Sequence, residues 1–554
     1  MKKLWLTLLL FPFLTYAQWV NDPSENTIIN DVPGAHYVPK IAVTPEGNYF
    51  FSWYGGASNL NMNLAYADHS GISLWDNDMV VSDYAQNSWV DDYTMLSDLE
   101  GNAIIIFSDI RNGNKDVVVY KVDSLGNQLW GENGIVFPIS GTGEYQPHAI
   151  VSSENNIFIL YSTNFDNGSS NITKAHKIEP DGNLAWGDEG KTFSGFGASW
   201  ALPKGIANND GGFSFAFYKE TGTFPSLTRE IYAIRCDSDG EMIWPSITKI
   251  VDAGGISSWD NIKIYGNGNG GLYCTWHDDR YFNNTSEVYA QYINPEGVEQ
   301  WNENGLLLGS EQSGHQLYEI PSGLNQSGEF IVFWNLLNSN QSEGALKYQR
   351  ISSDGLLLEG NTGATIIGMN AQLQNGLRAY QMGDTTFYLY TYFTPGSSYL
   401  TTYNMLALDA NGEQVWNNPI ELTNSNLERN HAQMSDFHSN QTVICWADNF
   451  TVGSRIMAQN IFIDGNLGSS PVNTIELQNK TDKQYFKSYH PLSKTIIIEN
   501  TLPGDILKIY NIQGQEIYMK MAKNHQVINK LNKGLFLAIL SRNGKAIESY
   551  KFIP

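Results

Sequence analysis

The chain has 554 residues, of which 13% are aromatic and only 16% charged, with 51 glycines and a formal net charge of −24. Many aromatics and turn formers beside few charged helix formers point to β structure and away from long amphipathic helices. The acidic balance argues against nucleic acid or an anionic membrane held by bulk electrostatics; it suits a solvated surface or divalent cations.

In chain order, the first segment reads MKKLWLTLLLFPFLTYAQ: two lysines, an apolar run, then a short stretch ending at Ala17. That pattern is a secretory signal peptide over residues 1–17. It is shorter than a membrane span, and no later run of about 18 apolar residues follows. No transmembrane segment is therefore expected once the signal is cleaved.

Residues 18–469 carry an internal repeat. A Trp following a Gly turn recurs at Trp19, Trp75, Trp130, Trp186, Trp244, Trp301 and Trp416, with Leu358 in the remaining place, at spacings of 55 to 58 residues. A second marker, an aromatic ending an apolar run, falls at Trp53, Phe107, Tyr161, Phe217, Trp276, Trp334, Tyr392 and Trp446. Between them lie turns such as DSLGN, EPDGN and DANGE, whose Asp-Gly and Asn-Gly steps tolerate positive φ and mark hairpins. Each repeat resolves into four short strands; for the second these are DYTMLSDLE, NAIIIFSD, DVVVYKVD and NQLWGENGIVF. The fold class predicted is all-β: a β-propeller of eight blades, with seven as the alternative, followed by a small C-terminal β-sandwich. The orphan segment WVNDPSENTII is expected to supply the missing outer strand of the last blade and close the ring. The repeated Trp is expected on the outermost strand, filling the wedge between blades.

Candidate chemistry lies on the loops of one face, around the channel mouth. Tyr37, Trp89, Tyr145, Trp200 and Trp259 occupy matching positions at the start of the first strand. Such rings suit stacking on sugar faces or peptide; alternatively they pack the blade tops. The densest polar cluster is His277, Asp278, Asp279 and Arg280. It reads as an acid/base or cation site, or as a blade-closing ion pair, since Asp109, Arg111 and Asp448 stand at related places. DSDGE, Asp237 to Glu241, begins like a calcium loop but lacks the other ligands, so no cofactor is expected, with calcium as the alternative that no complete motif supports. Cys236, Cys274 and Cys445 are far apart, sit in apolar runs and read as buried hydrophobes.

Residues 470–485 read as a polar linker, and 486–554 as a small β-sandwich with ten Lys/Arg against four Asp/Glu. This tail resembles the type A C-terminal sorting domain of the type IX secretion system. SYHP, with Tyr489 and Pro491, is similar to the family's opening Tyr-Pro-Asn-Pro. LKIYNIQGQEIY around Gly514 and INKLNKGLFLAIL around Gly534 resemble its strand–Gly–strand core and its Leu-x-x-Gly-aromatic strand. His490 and Leu492 depart from the pattern. The resemblance implies passage through the periplasm and across the outer membrane with the type IX machinery as partner. The product would then be secreted or held at the outer cell surface.

These observations point to non-catalytic recognition of glycan or of a surface protein at the channel mouth. Two other readings stand beside it. One is a secreted polysaccharide hydrolase or lyase using carboxylates there, for which no sequence motif is present; the other is a structural spacer.

Overall fold

Short apolar runs bounded by turn residues are the signature of strands buried on both faces. Tyr49–Gly55 and Ala103–Asp109 are such runs, and all seven residues of each are buried. The computed structural model describes residues 19–468 except 33, 57–59, 87–91, 138–142, 166–168, 223–226, 253–254, 258–260, 311–313, 372–373, 394–399, 425–426 and 449–453, together with the strands lying within 486–552. The signal and linker segments, Trp89, Trp259, Pro491, Gly514 and Gly534 fall outside the described residues.

The described chain is all-β, and its recurring unit is a four-stranded antiparallel meander. One sheet runs Thr94–Ser97, Ala103–Asp109, Asp116–Val122 and Ile135–Phe137; the next runs Glu144–Val151, Ile157–Phe165, Ser169–Ile178 and Lys191–Phe193. The apolar clusters bridge neighbouring sheets, as where Phe50, Met62 and Leu64 meet Met95, Ile105 and Val118. First strands succeed one another in space: His36–Val43, Thr94–Ser97, Glu144–Val151, Ser199–Ala207, Lys263–Gly266, His315–Leu324, Gln374–Met382 and Leu427–Met434, the last returning to the first. This is a β-propeller-like arrangement around a central channel.

Strand pairing corrects one marker. Trp334 pairs with Lys347 four residues after the Phe330↔Ile351 pair, and Tyr390 stands at the same register after Thr386↔Leu408. Tyr390 is fully buried while Tyr392, two residues on, is half-buried, so Tyr390 is the equivalent residue.

The recurring Trp is not on the outermost strand. Trp130 precedes that strand, Ile135–Phe137, and reaches into the next sheet. There its Nε1 donates to the Pro180 carbonyl at 3.4 Å, and its ring occupies the space beside Gly182. Gly182 has φ of +93°, and a Cβ there would lie 2.6 Å from Trp130 Cδ1. Both its backbone conformation and its neighbour therefore demand glycine. The same bond runs from Trp75 to Ser124 at 2.8 Å, from Trp244 to Pro295 at 3.0 Å, from Trp301 to Ser353 at 3.1 Å and from Trp416 to Ile463 at 3.2 Å. In every case the acceptor lies two residues before the turn glycine. Where Leu358 replaces Trp, Arg350 donates to the corresponding Ala410 carbonyl and Tyr348 covers Gly412. Beside Trp186, Lys177 Nζ reaches the Ser238 carbonyl at 3.1 Å.

The N-terminal segment completes the last sheet as expected. Thr27–Asn30 pairs antiparallel with Arg455–Phe462, Thr27 opposite Ala458. Trp19 then clasps the first sheet, its Nε1 2.9 Å from the His69 carbonyl and its ring beside Gly71. Leu400–Leu408 also meets Leu427–Met434 through Thr401↔Leu427, which joins the last two sheets.

The chain divides into two compact units between Ser469 and Ser470. The second holds two antiparallel sheets: Phe486–His490, Thr495–Ile498 and His525–Val527 in one, and Glu516–Met521, Ile506–Tyr510, Phe536–Arg542 and Lys545–Phe552 in the other. Tyr489 lies in the first of these strands. Ile496 and Ile498 of one sheet share a buried cluster with Leu507, Ile509, Phe536, Ala538 and Leu540 of the other. Arg542 grips the buried Asp505 carboxylate through two bonds, at 2.7 and 2.8 Å.

Candidate functional site

Of the predicted aromatic mouth, Trp200, Tyr37 and Tyr145 are described, and burial removes Trp200 from it. Trp200 is 1% exposed, stacks on Phe217 at 4.1 Å and donates Nε1 to the Gly195 carbonyl at 3.1 Å. A ring enclosed in this way has no face left for a sugar. Tyr37 is half-buried against the cluster between the first two sheets. Tyr145 is half-buried too, with Lys115 Nζ 5.2 Å from its ring centre.

The His277–Arg280 cluster also divides by strand alternation. Asp278, with a fully buried side chain, accepts from Trp276 Nε1 at 2.9 Å and pairs with Arg280 through two bonds at 2.8 and 2.7 Å. Arg280 lies 3.5 Å from the Tyr289 ring centre and donates to the Asn304 carbonyl at 3.1 Å. Arg111 repeats the pattern with Asp109, Tyr84 and the Asn133 carbonyl. Asp278 and Arg280 thus tie strands and an outer loop together, and their charges are consumed by each other. Asp279 accepts from the Asn283 and Asn284 amides at 2.9 Å each and stiffens its own loop. His277 points the other way, its Nδ1 2.7 Å from Glu319 Oε2.

The concave site lies inside the channel. A cavity of about 650 Å³ is lined by the first strands, including His148, Lys204, Tyr265, Pro321, Arg378 and Tyr380. A recurring bulge aims these side chains. Val38, Gln146, Leu202, Tyr318 and His431 all have φ between +49° and +57°, each at the point where its first strand slips register. Such a bulge bends the strand and redirects the residues after it. One position, opposite the residue that precedes the buried aromatic marker of each second strand, holds Lys40, Thr94, His148, Lys204, Lys263, Ile320, Arg378 and Gln433. Pro39, Pro147 and Pro203 precede three of these. Proline is accommodated because a first strand has a free edge toward the channel.

Three of the four cations at this level are matched. Lys40 pairs with Asp92 at 2.6 Å, Lys263 with Glu319 at 2.6 Å and Arg378 with Asp436 at 2.5 Å. Burial raises the Glu319 carboxyl, but Lys263 and His277 outweigh it and hold the group well below the usual carboxylate range. Burial likewise opposes ionisation of Asp92, and Lys40 and Lys204 overcome it. Lys204 has no hydrogen-bond or ion-pair partner among the described residues; burial lowers its ammonium, and the field of Asp92 offsets this in part. Burial together with Lys204 pushes His148 down to about 3, so its imidazole is neutral and its Nε2–H donates to the Gly205 carbonyl at 3.0 Å.

No protein-family model matches the chain, and no curated protein sequence matches it. Among solved structures it is similar to a polysaccharide lyase described as an ulvan lyase, with 10% identity over 81% of this chain and 98% of that one and a TM-score of 0.43. It is also similar to the Dos1 propeller, at 12% identity over 80% and 95% with a TM-score of 0.46. The α-L-arabinanase of Penicillium chrysogenum follows at 10% identity over 56% and 92% with a TM-score of 0.34. These likenesses transfer no residue and no chemistry.

The channel can bind through free backbone edges, two tyrosine rings and a small set of charges. Among the described cavity-lining residues Asp436 supplies the carboxylate, and Arg378 holds it. No cluster of metal-ligating side chains occurs among the described residues. The channel residues left a signal in the sequence, a basic residue after proline in VPKIAV, QPHAIV and LPKGIA. Its meaning depends on the bulge, which no residue type announces.

Proposed function

We propose that the chain is an exported eight-bladed β-propeller that binds glycan without catalysis in its central channel. Its C-terminal unit acts as a type IX sorting domain that delivers it through the periplasm to the outer surface or the medium. The observation that carries the binding reading is the cavity of about 650 Å³ on the first strands, with Tyr265, Tyr380 and Pro321 among its lining residues beside hydrogen-bonding groups. Flat apolar faces interleaved with polar groups are what a sugar ring requires, and the volume suits a few sugar units. The count of eight is supported by the cycle of first strands and by a clasp at each turn glycine from Gly71 to Gly465. Export is supported by the N-terminal Lys–apolar–Ala pattern and by the tail motifs around Tyr489, Gly514 and Gly534.

A hydrolase needs two carboxylates facing one substrate. Glu319 is fully buried and tied to Lys263, and Asp436 is tied to Arg378, so neither serves as a free acid or base. A pure spacer gains nothing from an open cavity of this size. The test is to apply the full chain to a polysaccharide panel, scoring retention and new reducing ends together. Retention without product supports binding; new reducing ends would establish the enzyme reading, and silence in both would favour the spacer.

A further inference from the structure

We infer that the channel selects acidic saccharides, with Lys204 as the cation that receives a uronate carboxylate. This rests on the channel-binding reading above and gives it a substrate class. Lys204 lines the cavity and lacks a hydrogen-bond or ion-pair partner among the described residues, whereas its three counterparts around the ring each have a carboxylate at 2.5 to 2.6 Å. The nearby carboxylate, Asp92, is already in contact with Lys40. Among the described residues two ammoniums thus share one carboxylate, which leaves one positive charge unmet beside the cavity.

Lys204 is half-buried on the cavity wall, and a charge withdrawn from water without a partner is costly, a cost that a ligand bringing the missing anion relieves. The neighbouring His148 is neutral and commits its Nε2–H to Gly205, so it adds no competing charge. Tyr265 and Tyr380 line the same cavity and supply ring faces for the sugar that carries the carboxylate. A small inorganic anion would use the charge but not these faces. The acidic body does not oppose this selection: surface charges are screened over roughly 8 Å in physiological salt, while contact inside the channel is screened far less.

The test titrates the full chain with matched trisaccharides in physiological salt: galacturonate against galactose, glucuronate against glucose, and mannuronate against mannose. Inorganic sulfate is included as a sugar-free anion. The inference predicts at least one uronate that binds about tenfold or more tightly than its neutral twin, the advantage of one charge-assisted hydrogen bond. Lys204→Gln brings that uronate down to the affinity of its neutral twin, and Lys204→Arg keeps the preference. Thermal unfolding of both variants reports whether they fold. Equal affinity for acidic and neutral twins, a preference that survives Lys204→Gln, or sulfate binding as tightly as the uronates would overturn the inference and leave glycan binding standing. No binding by any saccharide would overturn the channel reading, and the inference with it.

Discussion

The indole of Trp244 fills the place that a side chain on Gly297 would need, its Cγ 2.7 Å from where a Cβ would sit. The two residues lie on successive sheets, and the Trp244 Nε1–H bonds to the Pro295 carbonyl of the same turn at 3.0 Å. One large residue on one sheet and one missing side chain on the next make an interlock, repeated at each period of the chain. The Trp and the turn glycine are thus parts of a single device for holding sheet against sheet.

Trp244 is 2% exposed, so Trp244→Ala leaves a large cavity and removes one of the two bonds to the Pro295 carbonyl, the other being from Arg235 Nη1 at 2.9 Å. The expected loss is about 3–5 kcal/mol. Leu358→Ala, at the period without Trp and 40% exposed, costs less than about 1 kcal/mol. Denaturant unfolding of the two variants makes the comparison, and similar losses would refute the interlock.

Glu319 is committed to two partners, Lys263 at 2.6 Å and His277 at 2.7 Å, while its side chain is fully buried. Glu319→Ala strands both partners and is expected to cost about 3–5 kcal/mol. Because the folded carboxyl is held below its ordinary value of 4.5, this stabilisation is present above that pH and disappears as pH falls through the folded value. The urea midpoint of the wild type therefore stays above that of Glu319→Ala from neutral pH to about pH 5.

Two histidines contribute to acid sensitivity. Burial with Lys204 holds His148 down to about 3, and burial with Lys174 holds His176 down to about 4. The unfolded chain takes up these protons near the ordinary value of 6.5, and the folded chain does not. Stability is therefore flat above about pH 7 and falls as pH drops below about 6.5. In His148→Gln the decline near pH 5 is shallower by about 1.4 kcal/mol per pH unit. An unchanged slope would mean that His148 already titrates in the folded protein.

Asp278→Ala leaves the Arg280 guanidinium without its carboxylate and is expected to destabilise by about 3 kcal/mol. Glycan retention per folded molecule stays unchanged, as it does for the Asp109→Ala equivalent. A selective loss of retention at full stability would return the His277–Arg280 loop to the binding site.

The repeat was legible because its markers obey local rules: Asp-x-x-Gly turns, apolar second strands and Trp at a fixed spacing. Even so, Tyr392 and Tyr390 are indistinguishable by pattern, since both rings lie on one face of a strand that alternates aromatics. The site was less legible. Trp200 and Lys204 share one first strand, but the bulge at Leu202 lies between them and changes which way each residue points. A slip of one residue exchanges core and solvent faces, so the aromatic before the bulge entered the core and the lysine after it entered the channel. Pairing of Lys263 with Glu319, 56 residues apart, appears only when the blades are assembled.

The most direct test of channel binding compares two double variants against whichever glycan the full chain retains. Tyr265→Ala with Tyr380→Ala removes the rings in the cavity. Tyr281→Ala with Phe282→Ala removes the rings that stand 69% and 75% exposed on the loop after Arg280. With thermal unfolding confirming that both proteins fold, channel binding predicts that the first pair loses about tenfold or more in affinity while the second keeps it. Loss in the loop pair with full affinity in the channel pair would contradict the account and place recognition on the outer face.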